Sequence, residues 1–242
     1  MLFDLHMDHR NSRNCWRSEI GSRLGAQWQL KLWGLPVFIG IFFTAYFLLL
    51  RYPVFEVTLM PVTAFDEAIP FQPASLGVYF SLWFYVSFAA ALIKTRAQLI
   101  THGKVAAGMG LTGFAVFFFW PTAIPHAAGL RETGDVALTW LKQVDAAGNA
   151  CPSLHVAFAV FSGVWLNRAL IEMRTPLVIR LFNYTWCAAI AYSTLSTKQH
   201  VLVDVIGGGI LGAIAGTFGV VKEKPGRGVV VAQRESAALR DR

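Results

Sequence analysis

Long apolar runs separated by short polar stretches make up most of the chain. Each run is close to the ~20 residues that a membrane-spanning helix needs. The six runs are Leu32 to Leu50, Ser75 to Ile93, Val105 to Trp120, Leu154 to Leu170, Leu177 to Leu195 and Val201 to Val221. The pattern predicts an all-α fold, an integral membrane bundle of six transmembrane helices over residues 32–221. Residues 1–31 and 222–242 are predicted as polar tails, with no second domain.

The composition agrees with a membrane protein. Hydrophobic residues make up 55% of the chain and charged residues only 14%, whereas a soluble domain averages about 25% charged residues. This excludes a soluble globular enzyme, a disordered chain and a nucleic-acid-binding domain. The net charge of +7 is therefore assigned to loops beside the lipid surface rather than to nucleic-acid binding.

The distribution of basic residues predicts the orientation. With six spans both tails lie on one side, which then carries 17 of the 21 Lys and Arg residues. The other side has only Arg51, Arg131, Lys142 and Lys198. Because basic loops stay in the cytoplasm, we expect both termini to be cytoplasmic and the membrane to be the plasma (inner) membrane. The long loops 51–74 and 121–153 then lie on the outer or periplasmic side.

Polar residues collect where three predicted spans meet this outer side. One stretch runs from Trp120 to His126, one from Asn149 to His155 and one from Ser193 to Asp204. Ionisable residues at such boundaries are costly in a membrane and indicate function. The three stretches are predicted to lie at one depth, where their side chains can form a single site.

The residue types predict phosphoryl chemistry. His200 and Asp204 are four apart and share one helix face, so the carboxylate can hold Nδ1–H and leave Nε2 as a nucleophile or base. Pro152 suits a first helical turn, which would place Ser153 at a helix start, where free N–H groups attract an anion. His155, one turn further on, can donate a proton.

The motifs resemble those of the type 2 phosphatidic acid phosphatase (PAP2) superfamily. Pro152 to His155 is similar to its Pro-Ser-Gly-His motif, and Ser193, His200 and Asp204 fit its Ser-Arg-x5-His-x3-Asp motif. The Ser-Leu-His variant resembles more closely the branch that includes the inositol phosphorylceramide synthases. The resemblance implies six spans, no metal and no cofactor. It also implies that His200 becomes a phosphohistidine, that Asp204 orients it, and that His155 protonates the leaving group.

The sequence departs from the family pattern at the positions that clamp phosphate. Leu154 replaces the usual Gly, and Thr194 stands where the family has Arg. The family's first motif, Lys-x6-Arg-Pro, is absent before Pro121. Lys198 is the best substitute for these cations, with His126 and Arg131 as weaker candidates. The residues predicted to bind phosphate are Ser153, Ser193 and Lys198.

Three functions are compatible with these residues. The first is a lipid phosphate phosphohydrolase, similar to a phosphatidic acid phosphatase, acting on a phospholipid or other lipid phosphate at the outer membrane face. The second is a lipid head-group phosphotransferase, in which an alcohol replaces water. The third is a non-enzymatic membrane protein, a transporter or a degenerate binding protein that holds an anion. The lipid, the acceptor and the oligomeric state leave no signal in the sequence.

Two features outside this site have simpler interpretations. Gly208, Gly212 and Gly216 form a small-xxx-small stripe, which predicts close helix packing. Asp66 and Glu67 in the first outer loop fit either loop solvation or contact with a polar head group.

Overall fold

A computed structural model describes residues 8–52, 54–125 and 148–222, which are mostly helical. The helices are α1 (Asp8–Gly25), α2 (Trp28–Arg51), α3 (Ala64–Ala68), α4 (Leu76–Phe80), α5 (Leu82–Ala91), α6 (Arg96–Phe119), α7 (Leu154–Glu172), α8 (Leu177–Ser196) and α9 (Leu202–Lys222). A 3-10 turn, Pro73–Ser75, precedes α4. Two short strands, β1 (Thr58–Leu59) and β2 (Thr122–Ala123), pair in parallel. This strand pair joins the loops 51–74 and 121–153 and was not predicted.

Within the described residues, four helical segments are long and apolar enough to cross a membrane. They are Trp28–Arg51, Pro73–Ala91, Leu154–Glu172 and Leu202–Val221, and they correspond to the predicted first, second, fourth and sixth spans. The predicted third and fifth spans are α6 and α8, with 24 and 20 residues. At 1.5 Å per residue both reach about 30 Å. They carry more polar residues than the other four, so the six-span count stays a prediction.

Two spans differ from the predicted segments for local reasons. Helix α6 begins at Arg96, well before Val105, because the Thr95 hydroxyl accepts a hydrogen bond from Gln98 N (3.2 Å) and caps the polar first turns. The second span is interrupted at Ser81, whose hydroxyl donates to the Val78 carbonyl (2.6 Å). Hydropathy alone does not locate either boundary, since both depend on side-chain bonds to the backbone.

Part of the predicted N-terminal tail is helix α1, which packs against one end of the bundle. Arg23 is buried and donates to the Glu172 carboxylate (3.1 Å) and to the Leu92 carbonyl (3.3 Å). Trp16 and Ile20 contact the hydrophobic core. Helix α1 therefore ties the ends of α5 and α7 together at the end that is rich in basic residues.

The opposite end of the bundle is organised by the close approach of α7 and α9. A Cβ atom added at Gly208 would lie 2.2 Å from the Ser153 carbonyl oxygen, and one at Gly212 would lie 2.3 Å from the Ala157 oxygen. Both are backbone contacts that a side chain does not tolerate. The stripe that includes Gly216 is thus confirmed as a packing surface, and it brings the start of α9 against the start of α7.

We predict that Gly208→Ala lowers stability while Gly209→Ala does not. The added methyl group at Gly208 forces α9 away from α7, and overpacking of this kind costs about 1–3 kcal/mol. At Gly209 an added Cβ meets nothing within 4 Å, so alanine is neutral or slightly stabilising there. The measurement is the thermal unfolding midpoint of each variant in the same detergent. Equal midpoints for the two variants would contradict the packing role.

Candidate active site

The first element of the site is the start of α7. Ser153 is fully buried and is the N-cap residue, its hydroxyl accepting from Val156 N (3.3 Å). Pro152 precedes the cap, so it lies just outside the helix and not in its first turn as predicted. The Ser153 amide donates to the Asp204 carbonyl (3.1 Å). This bond joins the two motifs that the sequence places about forty residues apart.

His155 lies in the first turn of α7 and is held by α4. Its imidazole stacks on the Tyr79 ring, with centroids 4.0 Å apart and planes 18° apart. The imidazole also hydrogen-bonds the main chain of Tyr79. Its Nε2 atom is buried and has no hydrogen-bond partner among the described residues. One ring nitrogen is therefore left for proton exchange with a bound molecule.

The turn between α8 and α9 positions His200. Helix α8 ends at Ser196, and the amides of Gln199 and His200 both donate to the Thr194 carbonyl (2.9 and 3.1 Å). Lys198 reverses the chain with φ of 56°, in the left-handed region. This compact turn places His200 two residues before α9 begins at Leu202, so His200 does not share a helix face with Asp204 as predicted.

Asp204 supports His200 from behind. Its side chain is fully buried, and Oδ2 accepts from Val201 N (3.1 Å). The same oxygen lies 3.5 Å from His200 Nδ1, within ion-pair range and longer than a typical hydrogen bond. The structure thus brings together the two residues that the four-residue spacing predicted to pair. With Nδ1 facing the carboxylate, Nε2 is the nitrogen left for chemistry.

His155 and His200 line the same cavity of about 360 Å³. Asn149, Gln199 and Tyr46 lie at this polar end, and the Asn149 amide donates to the Tyr46 hydroxyl. The remaining walls are largely apolar and come from α2, α4, α5, α6 and α7. The arrangement suits an amphiphile whose polar group contacts the two imidazoles while its apolar part lies along the helices.

The predicted phosphate-binding residues are placed differently. Lys198 Nζ donates to the carbonyls of Asp66 (2.7 Å) and Ile69 (2.6 Å). The Ser193 hydroxyl donates to the Ile190 carbonyl of its own helix (2.6 Å). Neither residue lines the cavity, and Ser153 does not line it either. The weaker candidates, His126 and Arg131, lie outside the described residues.

Asp66 holds the loop 51–74 against the start of α9. It is only 5% exposed, and its Oδ1 atom accepts from Leu202 N (2.7 Å) at the start of α9. Its Oδ2 atom accepts from the Thr63 amide and hydroxyl (2.9 and 2.7 Å), which forms a capping box on α3. Asp66 is therefore a buried cap of two helices, and loop solvation does not describe it.

We predict that Asp66→Ala lowers the local stability of the first turn of α9, whereas Glu67→Ala has little effect on it. Loss of the carboxylate leaves the Leu202 amide without its partner, at a typical cost of about 1–3 kcal/mol. The exposed Glu67 is the matched neighbour. The measurement is the rate of amide hydrogen exchange in the first turn of α9, which should be faster only in the Asp66 variant. Unchanged exchange there would contradict the capping role.

Cys151 lies beside the site but does not suit a nucleophile. The residue is buried, and its amide donates to the Thr122 hydroxyl (2.7 Å). Burial and, to a smaller extent, the nearby Asp204 carboxylate raise the pKa of the Cys151 thiol to about 11. At neutral pH the thiol stays protonated, and the thiolate is the reactive form of cysteine. The histidines are the better candidates.

Sequence reasoning missed Tyr79 and Tyr46, whereas Asn149 and Gln199 belong to the two stretches that it placed at the site, without a role of their own. Tyr79 belongs to an apolar run and contacts His155 only through tertiary packing, so no local pattern marks it. The capping role of Asp66 could have been predicted from the sequence, because a threonine three residues before an aspartate is compatible with a capping box.

Comparison with known proteins gives a match to a family model. The model of the PAP2 superfamily matches residues 105–224, a range that contains His155, His200 and Asp204. No curated protein and no solved structure matches the chain. Members of that superfamily are generally phosphoric ester hydrolases or phosphotransferases. The match is to the superfamily as a whole, so the narrower resemblance to the inositol phosphorylceramide synthases stays a prediction.

Proposed function

We propose that this protein is a membrane lipid phosphate phosphohydrolase that works through a phosphohistidine. The observation that carries the proposal is that His155 and His200 line one cavity, with Asp204 buried behind His200. The family match over residues 105–224 supports the same reaction class. The apolar walls of the cavity support a lipid as the substrate.

In the first step, Nε2 of His200 attacks phosphorus. A P–N bond forms and the P–O bond to the lipid alcohol breaks, with the developing alkoxide taking a proton from Nε2 of His155. The Asp204 carboxylate stabilises the positive charge that appears on His200, since it faces Nδ1. The products of this step are a lipid alcohol and a phosphohistidine.

In the second step, neutral His155 acts as the base. It takes a proton from water, the water oxygen attacks phosphorus, and the P–N bond breaks to release phosphate. His155 ends the cycle protonated and His200 neutral, so both histidines return to their initial states. An alcohol in place of water would give the phosphotransferase reaction with the same residues, and analysis of the lipid products with and without an added alcohol separates the two.

The predicted phosphate-binding residues enter the proposal in supporting roles. Ser153 and Ser193 fix the helix ends beside the two histidines through their hydroxyl bonds. Lys198 uses its ammonium group to hold the loop at Asp66 and Ile69, and its positive charge favours an anion bound near the turn. A third N–H of that ammonium group is available in addition to these two bonds.

We propose that the site faces the outer or periplasmic side of the plasma membrane. The bundle end with Arg23, Lys31 and Lys94 is opposite to the end that holds the two histidines. Basic residues favour the cytoplasm, which places both termini there. A lipid phosphate in the outer leaflet then reaches the cavity sideways between the helices.

We predict that turnover of a lipid phosphate by the purified protein persists in strong chelator. The proposed attack by His200 needs no metal ion, and within the described part of the chain no group of three or more His, Cys, Asp or Glu residues is placed to hold one. The measurement is phosphate release from phosphatidate in detergent, with and without EDTA. Complete loss of release in EDTA, restored by a divalent ion, would overturn the mechanism. Absence of release from any lipid phosphate would favour the non-enzymatic alternative.

A further inference from the structure

A second cavity adjoins the candidate site. Its volume is about 280 Å³, and it lies between α2, α5, α6 and α7 on the side away from the two histidines. The two cavities share five lining residues, which are Leu35, Phe38, Val86, Ser87 and Phe158. They therefore adjoin each other along α2, α5 and α7. We call the two together the groove, with a proximal cavity at the histidines and a distal cavity.

The groove is longer than one leaflet of a bilayer. Along α2 its lining extends from Leu30 in the distal cavity to Phe47 in the proximal cavity. At 1.5 Å per residue this is roughly 25 Å. A bilayer core is about 30 Å thick, so one leaflet supplies only about 15 Å of hydrocarbon. A substrate chain that fills the groove must therefore be longer than half of the membrane core.

The distal cavity suits hydrocarbon. Its ionisable lining residues among those described are Lys31 and His102. Lys31 Nζ donates to the carbonyls of Ala91 (2.7 Å) and Arg23 (2.6 Å). The His102 ring packs 4.8 Å from that of Phe161. Since an unfilled apolar cavity destabilises a protein in proportion to its volume, a hydrocarbon occupant is favoured.

The distal cavity is also accessible from the membrane. Leu30 and Ile100, on α2 and α6, line it and are 37% and 40% exposed. Their exposure leaves the distal cavity open at the surface of the bundle, between α2 and α6. A hydrocarbon chain can thus enter the groove from the side, without crossing a polar barrier.

We propose that the distal cavity binds the far end of the substrate's hydrocarbon chain, so that the preferred substrate is a lipid phosphate whose chain is about as long as the groove. This inference rests on the proposed function for the position of the phosphate, which the two histidines hold. The chain lies between α2 and α5, passes Phe38 and Phe158, and ends at His102. Shorter chains fill only the proximal cavity and bind less tightly.

Substitution of Gly103 tests the distal cavity without changing the site. Gly103 lines the distal cavity, and a Cβ added there meets nothing within 4 Å, so a leucine side chain extends into open space. Gly108 is the matched control on the same helix, since an added Cβ there also meets nothing within 4 Å and the residue lines neither cavity. Gly34→Leu, with Gly40→Leu as its control, repeats the comparison on α2.

The measurement is kcat/KM for decyl phosphate and eicosyl phosphate in the same detergent. We expect Gly103→Leu to lower the ratio of eicosyl to decyl activity by about tenfold, and Gly108→Leu to leave it unchanged. An unchanged ratio in Gly103→Leu and Gly34→Leu would overturn the inference, as would an equal loss with both substrates. The decyl activity reports that each variant is folded.

A binding measurement separates this inference from the proposed function. Eicosylphosphonate, which cannot be hydrolysed, should raise the thermal unfolding midpoint of the wild type and of Gly108→Leu more than that of Gly103→Leu. Equal stabilisation of all three proteins would overturn the inference even if hydrolysis occurs. A wild type that hydrolyses neither phosphate but shows this contrast would support the chain-binding groove and refute the proposed function.

Discussion

His200→Ala is expected to abolish turnover and to form no phosphoenzyme with any substrate. Alanine removes the only atom proposed to bond phosphorus, and loss of a covalent nucleophile lowers kcat by roughly 10⁶-fold in enzymes where it has been measured. His200 is partly exposed to the cavity and its side chain makes no described bond that holds the fold, apart from the contact with Asp204. The variant should therefore fold normally. Phosphate release and the thermal unfolding midpoint, measured together, check both expectations.

Asp204→Asn is the companion variant for this prediction. The imidazole of His200 stays, but the amide of the new side chain does not fix its tautomer or stabilise its positive charge. In a comparable His–Asp pair this change lowers kcat on the order of 10⁴-fold. The variant should retain slow turnover and a detectable phosphoenzyme. Equal activity of the two variants would contradict the separate roles assigned to His200 and Asp204.

His155→Ala is expected to lose about 10²–10⁴ in rate with an alkyl phosphate, the usual contribution of a general acid. With 4-nitrophenyl phosphate the loss in the first step should be much smaller, because this leaving group departs without a proton. The second step still lacks its base, so the variant should accumulate phosphohistidine. A rapid-quench measurement of released nitrophenol and of bound phosphate follows the two steps separately.

The control for His155→Ala is His200→Ala with the same two substrates. A good leaving group does not replace a missing nucleophile, so the His200 variant should gain nothing from 4-nitrophenyl phosphate. If both variants are rescued equally, or neither is, the assignment of acid and nucleophile is wrong.

The sequence predicts best those features that local chemistry determines. Helix α7 begins at Leu154, the predicted start of the fourth span, with Ser153 as its cap, although Pro152 lies before the helix and not in its first turn. The pairing of His200 with Asp204 follows from four-residue spacing, although His200 stands just before α9. The glycine stripe predicted close packing, because small side chains at this spacing allow backbones to approach.

Features that depend on tertiary contacts were not predictable from local patterns. The ammonium group of Lys198 binds carbonyls of a loop more than a hundred residues earlier in the chain. The ring of Tyr79 supports His155 across two helices, and the start of α6 depends on the cap at Thr95. Charge and spacing identify Lys198 as a candidate phosphate ligand, but they do not indicate which carbonyls compete for it.

Trapping the phosphoenzyme tests the central claim most directly. The protein is mixed with a radiolabelled lipid phosphate, quenched in base to preserve phosphohistidine, and digested, and the labelled peptide is identified by mass spectrometry. Label on His200 in the wild type, absent from His200→Ala and increased in His155→Ala, is the result that the mechanism predicts. Label on His155 or Cys151, or steady turnover without any labelled residue in His155→Ala, would contradict it.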